Sequence, residues 1–158
     1  MSRVTPINTG VIMDAVLTQL RNDPGVQAID GLALTRGEWI NNDPGRCPWA
    51  GLYCIGEDYA PRALGFASGY REQHITLALV LQESSRSSGQ DCQDKLEALK
   101  QAAMGAILTD PTLSGSVAML MPKLAAVYMN AKAQGNTDPY FQTVVVQFAG
   151  IAQTAVSP

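Results

Sequence analysis

The sequence predicts an α+β domain: a mixed or mainly antiparallel sheet of four or more strands, with an N-terminal helix and one long helix packed on it. Three segments predict this class. Residues 74–82, HITLALVLQ, alternate apolar side chains as a strand does. Residues 90–109 place apolar side chains at helical spacing. Residues 140–148, YFQTVVVQF, are rich in the β-branched and aromatic residues that favour strands.

Length and composition favour one domain over residues 1–158, since a chain of this size buries about 70% of its unfolded surface. The charged share of 16% is below the usual level of about 25%, which favours a surface partly covered by partners. A net charge of −3 argues against a general nucleic-acid-binding surface, which is normally basic. No apolar run approaches the roughly 20 residues of a membrane span, and the N-terminus lacks a signal-peptide pattern, so we expect cytoplasmic folding without membrane contact.

The N-terminal helix is expected over about residues 10–22, with Asn8 or Thr9 as its cap. Its apolar stripe consists of Ile12, Val16 and Leu20, with Met13 and Leu17 beside it. The Asp-Pro-Gly sequence at 23–25 ends this helix, and a first strand is expected within residues 28–35.

The next part of the chain is less regular. Residues 37–48 form a polar stretch that contains the turn-like run NNDPG. Residues 49–56, WAGLYCIG, are predicted to form a second strand, although Trp49, Leu52 and Cys54 do not alternate cleanly.

The strand at 74–82 is predicted to be central and covered on both faces. Its first face carries Ile75, Leu77, Leu79 and Leu81, and its second face carries Thr76, Ala78 and Val80. The long helix follows at 90–109, with Ser88 and Asp91 as a capping signal and Asp110-Pro111 as its end. Its apolar positions are Leu96, Leu99, Ala103, Ile107 and Leu108.

Residues 57–70 carry several large apolar side chains beside proline and glycine, which is unusual for a solvated loop. Two interpretations are open: the segment folds back onto the core, or it projects as an arm or hairpin that meets another subunit. We favour the arm slightly, because the core already has a full set of strands. The predicted subunit-interface residues are Tyr59, Arg62, Leu64, Phe66, Tyr70 and Arg71. The terminal segments 1–8 and 150–158 are expected to be mobile.

No pattern in the sequence marks a catalytic, cofactor or metal site, so we predict no enzyme activity and no cofactor. His74 is the single histidine, and a lone histidine at the start of a strand is more often structural than catalytic. Cys47, Cys54 and Cys92 lack the paired spacing of a zinc site, so they are predicted to be free thiols.

The most informative segment is ILTDPTLSGSVAML, residues 107–120, in which a helix ends in a turn and enters a strand. Together with the order of elements, it resembles the tail terminator proteins of tailed bacteriophages, in which a similar "D-x-T-L-G-G-x-V" turn occurs. The matching residues are Asp110, Thr112, Leu113, Gly115 and Val117. Ser114 stands where that family commonly has glycine.

The resemblance implies a structural role in the virion. Tail terminators form a homohexameric ring on the tail tube, end its polymerisation and provide the joint to the connector under the head. Their partners are further copies of themselves, the tail tube protein and a neck or connector protein. Genomic DNA passes through the lumen without sequence-specific binding. The protein is made in the host cytoplasm and resides at the head–tail junction of the virion.

Two other functions stay open at the level of sequence. The nearer one is another neck or tail component, such as a head-completion or stopper protein or the tail tube protein itself. The more distant one is a small α/β enzyme, which the lack of a convergent acid, base and nucleophile set disfavours.

Overall fold

The structure is a computed structural model that describes residues 3–4, 7–61, 70–115, 117, 119–123, 127–131 and 139–157. Within these ranges the helices are α1 (Thr9–Asn22), α2 (Pro24–Gln27) and α3 (Gly89–Thr109), with a 3-10 helix at Pro44–Arg46. The strands are β1 (Arg3–Val4), β2 (Ala33–Arg36), β3 (Trp49–Pro61), β4 (Tyr70–Ser85), β5 (Met119–Pro122), β6 (Val127–Ala131) and β7 (Tyr140–Ser157). The predicted α+β class, N-terminal helix and long helix are confirmed.

The strands of the described chain form one mixed sheet in the order β1-β7-β4-β3-β2. β2 pairs with β3 in parallel, and the other described pairs are antiparallel. β7 pairs with β4 from Tyr140 to Ala155, and its other edge pairs with β5 and β6. The segment expected to follow the long helix as one strand is therefore two short strands that share the edge of β7.

β3 and β4 are longer than the sequence predicts. β3 continues past Gly56 to Pro61, and β4 begins at Tyr70 rather than at His74. The apolar alternation stops at these positions, but the backbone pairing continues as far as Pro61 opposite Arg71. Trp49 and Leu52 do not alternate because they lie on opposite faces of the strand, and both faces are buried there. A register shift follows between Cys54 and Gly56.

The two main helices begin at the predicted caps. The Asn8 side chain accepts a hydrogen bond from the Gly10 amide at 2.8 Å. The Ser88 hydroxyl accepts one from the Asp91 amide at 3.0 Å. Each bond satisfies a backbone donor that has no partner within its helix. Asp23 ends α1 and also caps the short helix α2, which the sequence analysis did not predict.

The core lies between the helices and one face of the sheet. Leu77, Leu79 and Leu81 of β4 lie opposite Phe148, Val146 and Val144 of β7. The described residues of these strands pack against α1 and α3 through Ile12, Val16, Leu20, Leu96, Leu99, Ala103 and Ile107. Leu108 was predicted to belong to this stripe, but its side chain is 48% exposed because it points away from the sheet.

The second face of β4 is buried as well, as the sequence predicts. Ala78 and Val80 on this face are both buried. The Trp49 ring lies across it against Gly51, where an added Cβ would come within 2.3 Å of the ring. The indole therefore occupies the space that a side chain at position 51 would need.

Backbone pairing extends into both terminal segments that we expected to be mobile. Arg3 and Val4 pair with Ser157 and Val156, and β7 remains paired with β4 as far as Ala155.

Candidate functional site

The first candidate region is the turn after α3, residues 110–117, which we call the Asp110 turn. One carboxylate oxygen of Asp110 accepts hydrogen bonds from the Thr112 hydroxyl at 2.6 Å and the Thr112 amide at 3.1 Å. The other oxygen accepts from the Ser114 amide at 2.8 Å. The hydrogen bonds from the Thr112 hydroxyl and the Ser114 amide hold the pKa of the Asp110 carboxyl below its ordinary value. Asp110 is therefore the acceptor around which the turn is built.

The backbone of this turn is left-handed over three consecutive residues. The φ angles are 51° at Leu113, 57° at Ser114 and 87° at Gly115. Glycine adopts this region at no steric cost, whereas an L side chain is disfavoured there. The geometry explains the glycine at 115. It also explains why glycine is a favourable alternative to Ser114.

The apolar side chains of the Asp110 turn point into the core. Leu113 is 2% exposed and Val117 is 4% exposed. The Val117 amide donates to the Thr112 carbonyl at 3.1 Å, and the Leu120 amide donates to the Pro111 carbonyl at 2.7 Å. Every residue predicted as part of the family-like turn thus contributes an acceptor, a left-handed backbone position or a buried side chain.

Gln19 of α1 ties this turn to the first helix, and the sequence analysis did not identify it. Its side-chain amide donates to the carbonyl oxygens of Ala106 at 2.7 Å and Asp110 at 2.9 Å. These carbonyls lie at the C-terminal end of α3, where they have no partner within the helix. No local pattern marks Gln19, because its partners lie 87 and 91 residues away in the chain.

A groove of about 490 Å³ lies between α1, α2, α3 and the Asp110 turn, and we call it the α1–α3 groove. Its apolar wall includes Ala15, Ala106 and Leu113. Its polar lining includes Thr18, Asn22, Asp23, Thr109 and Asp110. The Asp23 and Asp110 carboxylates in this lining already accept hydrogen bonds from backbone amides nearby in the chain. Ala106 and Leu113 are each only 2% exposed.

The second candidate region is residues 37–48, which we call the Trp39 loop. Its start is held where the Tyr53 hydroxyl donates to the Glu38 carbonyl at 2.9 Å and Arg46 pairs with the Glu38 carboxylate at 3.1 Å. Further along, Asn41 is buried, and its carbonyl accepts from the Gln82 amide at 2.8 Å. The Asn41 side chain also donates to the Asp43 carbonyl at 2.9 Å. The loop is therefore fixed on both sides of residues 39 and 40.

Trp39 and Ile40 lie between these anchors and point into solvent. Trp39 is 94% exposed and Ile40 is 58% exposed. Trp39 is the most exposed large apolar side chain in the described part of the chain. An aromatic side chain presented on a fixed backbone is typical of interface hot spots. Residues 37–48 were predicted only as a polar stretch, although a tryptophan next to an isoleucine in such a stretch is a signal of an exposed apolar patch.

The predicted interface segment falls largely outside the described residues. Arg62, Leu64 and Phe66 lie in the range 62–69, which the structure does not describe. For Tyr59, Tyr70 and Arg71 only the backbone is described, and it continues the pairing of β3, β4 and β7. The proposed contact of these side chains with another subunit stays a prediction.

A third group of residues lies where the C-terminal end of β4 meets the N-terminus of α3. The Cys92 thiol donates to the Glu83 carbonyl at 3.3 Å. Burial raises the pKa of Cys47 to about 12, and burial also raises the pKa values of Cys92 and Glu83. A thiol with a raised pKa stays protonated at neutral pH, so Cys47 and Cys92 are poor nucleophiles and poor metal ligands.

All three cysteines are free thiols, and they do not converge with His74 on one site. Cys54 lies opposite Leu77 in the middle of the sheet, and His74 lies opposite Asp58 further along the same pair of strands. No cluster of three or more His, Cys, Asp or Glu side chains is placed to hold a metal ion among the residues that the structure describes.

Comparisons with known proteins assign no family to the chain: it matches no protein-family model and no curated protein. The described helices include none that is long and apolar enough to cross a membrane. The class of protein that the fold and the site define is therefore an α+β domain with one tightly built turn and one exposed aromatic loop.

Proposed function

We propose that this chain is a structural virion protein that caps a bacteriophage tail tube as a homohexameric ring. In this role it ends tube polymerisation and provides the joint to the head connector. It is made in the host cytoplasm and resides at the head–tail junction. Its partners are neighbouring copies, the tail tube protein and a neck or connector protein, and genomic DNA passes through the lumen.

The observation that carries this proposal is the construction of the Asp110 turn. The five residues shared with tail terminator proteins are those that build the turn, and the one departure, Ser114, adopts a φ of 57°, which glycine favours. A chance match to a short sequence pattern would not be expected to fall on residues that together form one hydrogen-bonded unit. The five matching residues thus form one hydrogen-bonded and packed unit in this chain, which supports the proposal.

The charge of the chain also supports a conduit for DNA. A strongly basic lumen would bind the phosphate backbone through counterion release and retard its passage. The chain carries a net charge of −3, which suits passage without adhesion. A net negative charge is compatible with many functions, so the proposal is tested by ring assembly.

Electron microscopy of the purified protein tests the proposal. The expected result is discrete rings of uniform diameter at micromolar concentration. Long tubes would instead favour a tail tube protein, and a chain that remains monomeric would contradict a ring-forming role. Purified tail tubes mixed with the protein provide the second part of the test, since a terminator should bind only at one end of each tube.

A further inference from the structure

We infer that one buried water molecule joins the indole of Trp49 to the side-chain amide of Gln82, beneath the Trp39 loop. The Trp49 Nε1–H donates a hydrogen bond to this water, and the water donates one to the Gln82 Oε1 oxygen. The site lies within a single chain, so it does not depend on ring assembly.

The two atoms are buried and have no protein partner. Trp49 Nε1 and Gln82 Oε1 are the two buried side-chain polar atoms that lack a hydrogen bond in the described part of the chain. Trp49 is fully buried and Gln82 is 2% exposed, so bulk solvent does not reach either atom. An unpaired buried polar group is costly, and in folded proteins nearly all such groups bond to the protein or to ordered water.

These two unpaired atoms belong to neighbouring side chains. Trp49 of β3 lies directly opposite Gln82 of β4 in the antiparallel pair. Side chains of directly opposed residues leave the same face of the sheet, with Cβ atoms about 4.5–5.5 Å apart. A water that bonds to two atoms spans up to about 6 Å between them, which is comparable to this separation.

The orientation of the Gln82 amide is fixed by its other contacts. Gln82 Nε2 donates to the Asn41 carbonyl at 2.8 Å and to the Thr143 hydroxyl at 3.3 Å. A half-turn of the amide would place Oε1 against the Asn41 carbonyl, so that two acceptors would face each other. Gln82 Oε1 therefore has to find its donor elsewhere.

The chemistry of the two atoms selects water as the ligand. An indole N–H can only donate, and an amide oxygen can only accept. A ligand that serves both must accept one hydrogen bond and donate another. A metal cation gives the N–H no acceptor, and a halide gives the amide oxygen no donor. Water does both, and buried waters in proteins bond to groups that are otherwise unsatisfied.

The bridge completes a chain of hydrogen bonds from the Trp39 loop to β3. The Asn41 carbonyl, next to the exposed Ile40, accepts from Gln82, and the water continues this chain to Trp49. The exposed part of the loop is thus supported from below by an internal water. Because bulk solvent does not reach the two atoms, this water exchanges only when the chain opens locally.

A crystal structure of the unmodified chain, at a resolution that shows ordered waters, tests the bridge. The expected result is a water at about 2.7–3.2 Å from both Trp49 Nε1 and Gln82 Oε1. A direct N–H···O bond between the two side chains would overturn the inference. Two unpaired atoms with no water between them would also overturn it.

Ultraviolet resonance Raman spectroscopy tests the same bond in solution, because an indole band reports whether the N–H is hydrogen-bonded. The chain has two tryptophans, so Trp39→Phe leaves Trp49 as the one that is observed. In this background the band should be that of a bonded N–H. Adding Gln82→Leu should move it to the position of a free N–H, because a water left with one partner is not retained.

Thr143→Val is the matched control, because it removes the other side-chain contact of Gln82 but leaves Oε1 in place. The Raman band should not change in this variant. A free N–H in the Trp39→Phe chain would overturn the bridge, and a bonded N–H that Gln82→Leu does not alter would overturn the role of Gln82. If circular dichroism shows that Gln82→Leu does not fold, the crystal structure of the unmodified chain decides.

Discussion

The Trp39 loop and the Asp110 turn are both connections that an Asn or Asp side chain holds by bonding to nearby backbone groups. In the loop, Asn41 bonds to the carbonyl and the amide of Asp43. In the turn, Asp110 bonds to the amides of Thr112 and Ser114. Their apolar residues, however, point in opposite directions. Leu113 is 2% exposed in the turn, whereas Trp39 is 94% exposed in the loop.

Because of this difference, the turn should affect the stability of the single chain, and the loop should affect its association with other chains. The Asp110 turn buries its apolar side chains, so its sequence is constrained by the fold of the single chain. The Trp39 loop is also held by hydrogen bonds, but its indole is 94% exposed and so adds little burial to the fold. Its exposed indole is therefore free to affect association rather than stability. Substitutions in the two regions should therefore change different measured quantities.

The largest expected loss of stability comes from Leu113→Ala. Truncation of a buried leucine removes burial and leaves a cavity, so the free energy of unfolding should fall by about 2–5 kcal/mol. Urea unfolding followed by circular dichroism measures the change. Leu108→Ala is the matched control, because Leu108 is 48% exposed and the same substitution there should have a much smaller effect. Equal losses in both variants would contradict the inward orientation of the turn.

A smaller loss is expected from Gly115→Ala. Gly115 has a φ of 87°, and an alanine held there should cost about 1–2 kcal/mol. Gly105→Ala is the control of opposite sign, since an added Cβ at this helical position in the last part of α3 meets nothing within 4 Å and should stabilise the helix by about 0.5–1 kcal/mol. Thermal denaturation of the two variants side by side checks the pair. A stabilising Gly115→Ala would show that the turn does not hold this backbone conformation.

Asp110→Asn should lower stability in a pH-dependent way. The folded-state pKa of Asp110 lies below its ordinary value of 3.8, so the ionised side chain stabilises the fold above pH 3.8. That contribution is lost as the pH falls through the folded-state pKa. The difference in melting temperature between the two proteins should accordingly be largest at neutral pH and shrink below pH 3.8. A difference that is independent of pH would show that the carboxylate charge plays no part in the turn.

The smallest effect on stability is expected from Trp39→Ala. The exposed indole makes little contribution to the isolated fold, so the free energy of unfolding should change by no more than about 0.5 kcal/mol. The measurement has to be made at a concentration where the chain is monomeric, because loss of association lowers the apparent stability of an oligomer. A loss near that of Leu113→Ala would mean that Trp39 packs within its own chain.

The sequence predicted those parts of the fold that local chemistry determines. The caps at Asn8 and Ser88 and the end of α3 at Asp110 all depend on residues within a few positions of one another. The lengths of β3 and β4 could not be predicted in the same way, since pairing continues where the apolar alternation has stopped. The positions of the short strands β5 and β6 also depend on pairing with the edge of β7, which is distant in sequence.

The candidate site was only partly predictable. The residues of the Asp110 turn were identified because their pattern is compact in sequence. Gln19 was not, because its bonds to Ala106 and Asp110 exist only after α1 and α3 have packed. Trp39 was not identified either: its position in a polar stretch was a usable signal, but the direction in which the folded loop presents the side chain is visible only in the structure.

Native mass spectrometry of the unmodified chain tests the ring directly, because it counts the subunits in the assembly. We expect a closed complex of six copies of the 16.8 kDa chain, about 101 kDa, with no ladder of larger species as the concentration rises. A closed ring leaves no unpaired subunit contact for a seventh copy. A monomer of 16.8 kDa, or a ladder that lengthens with concentration, would contradict a ring of six.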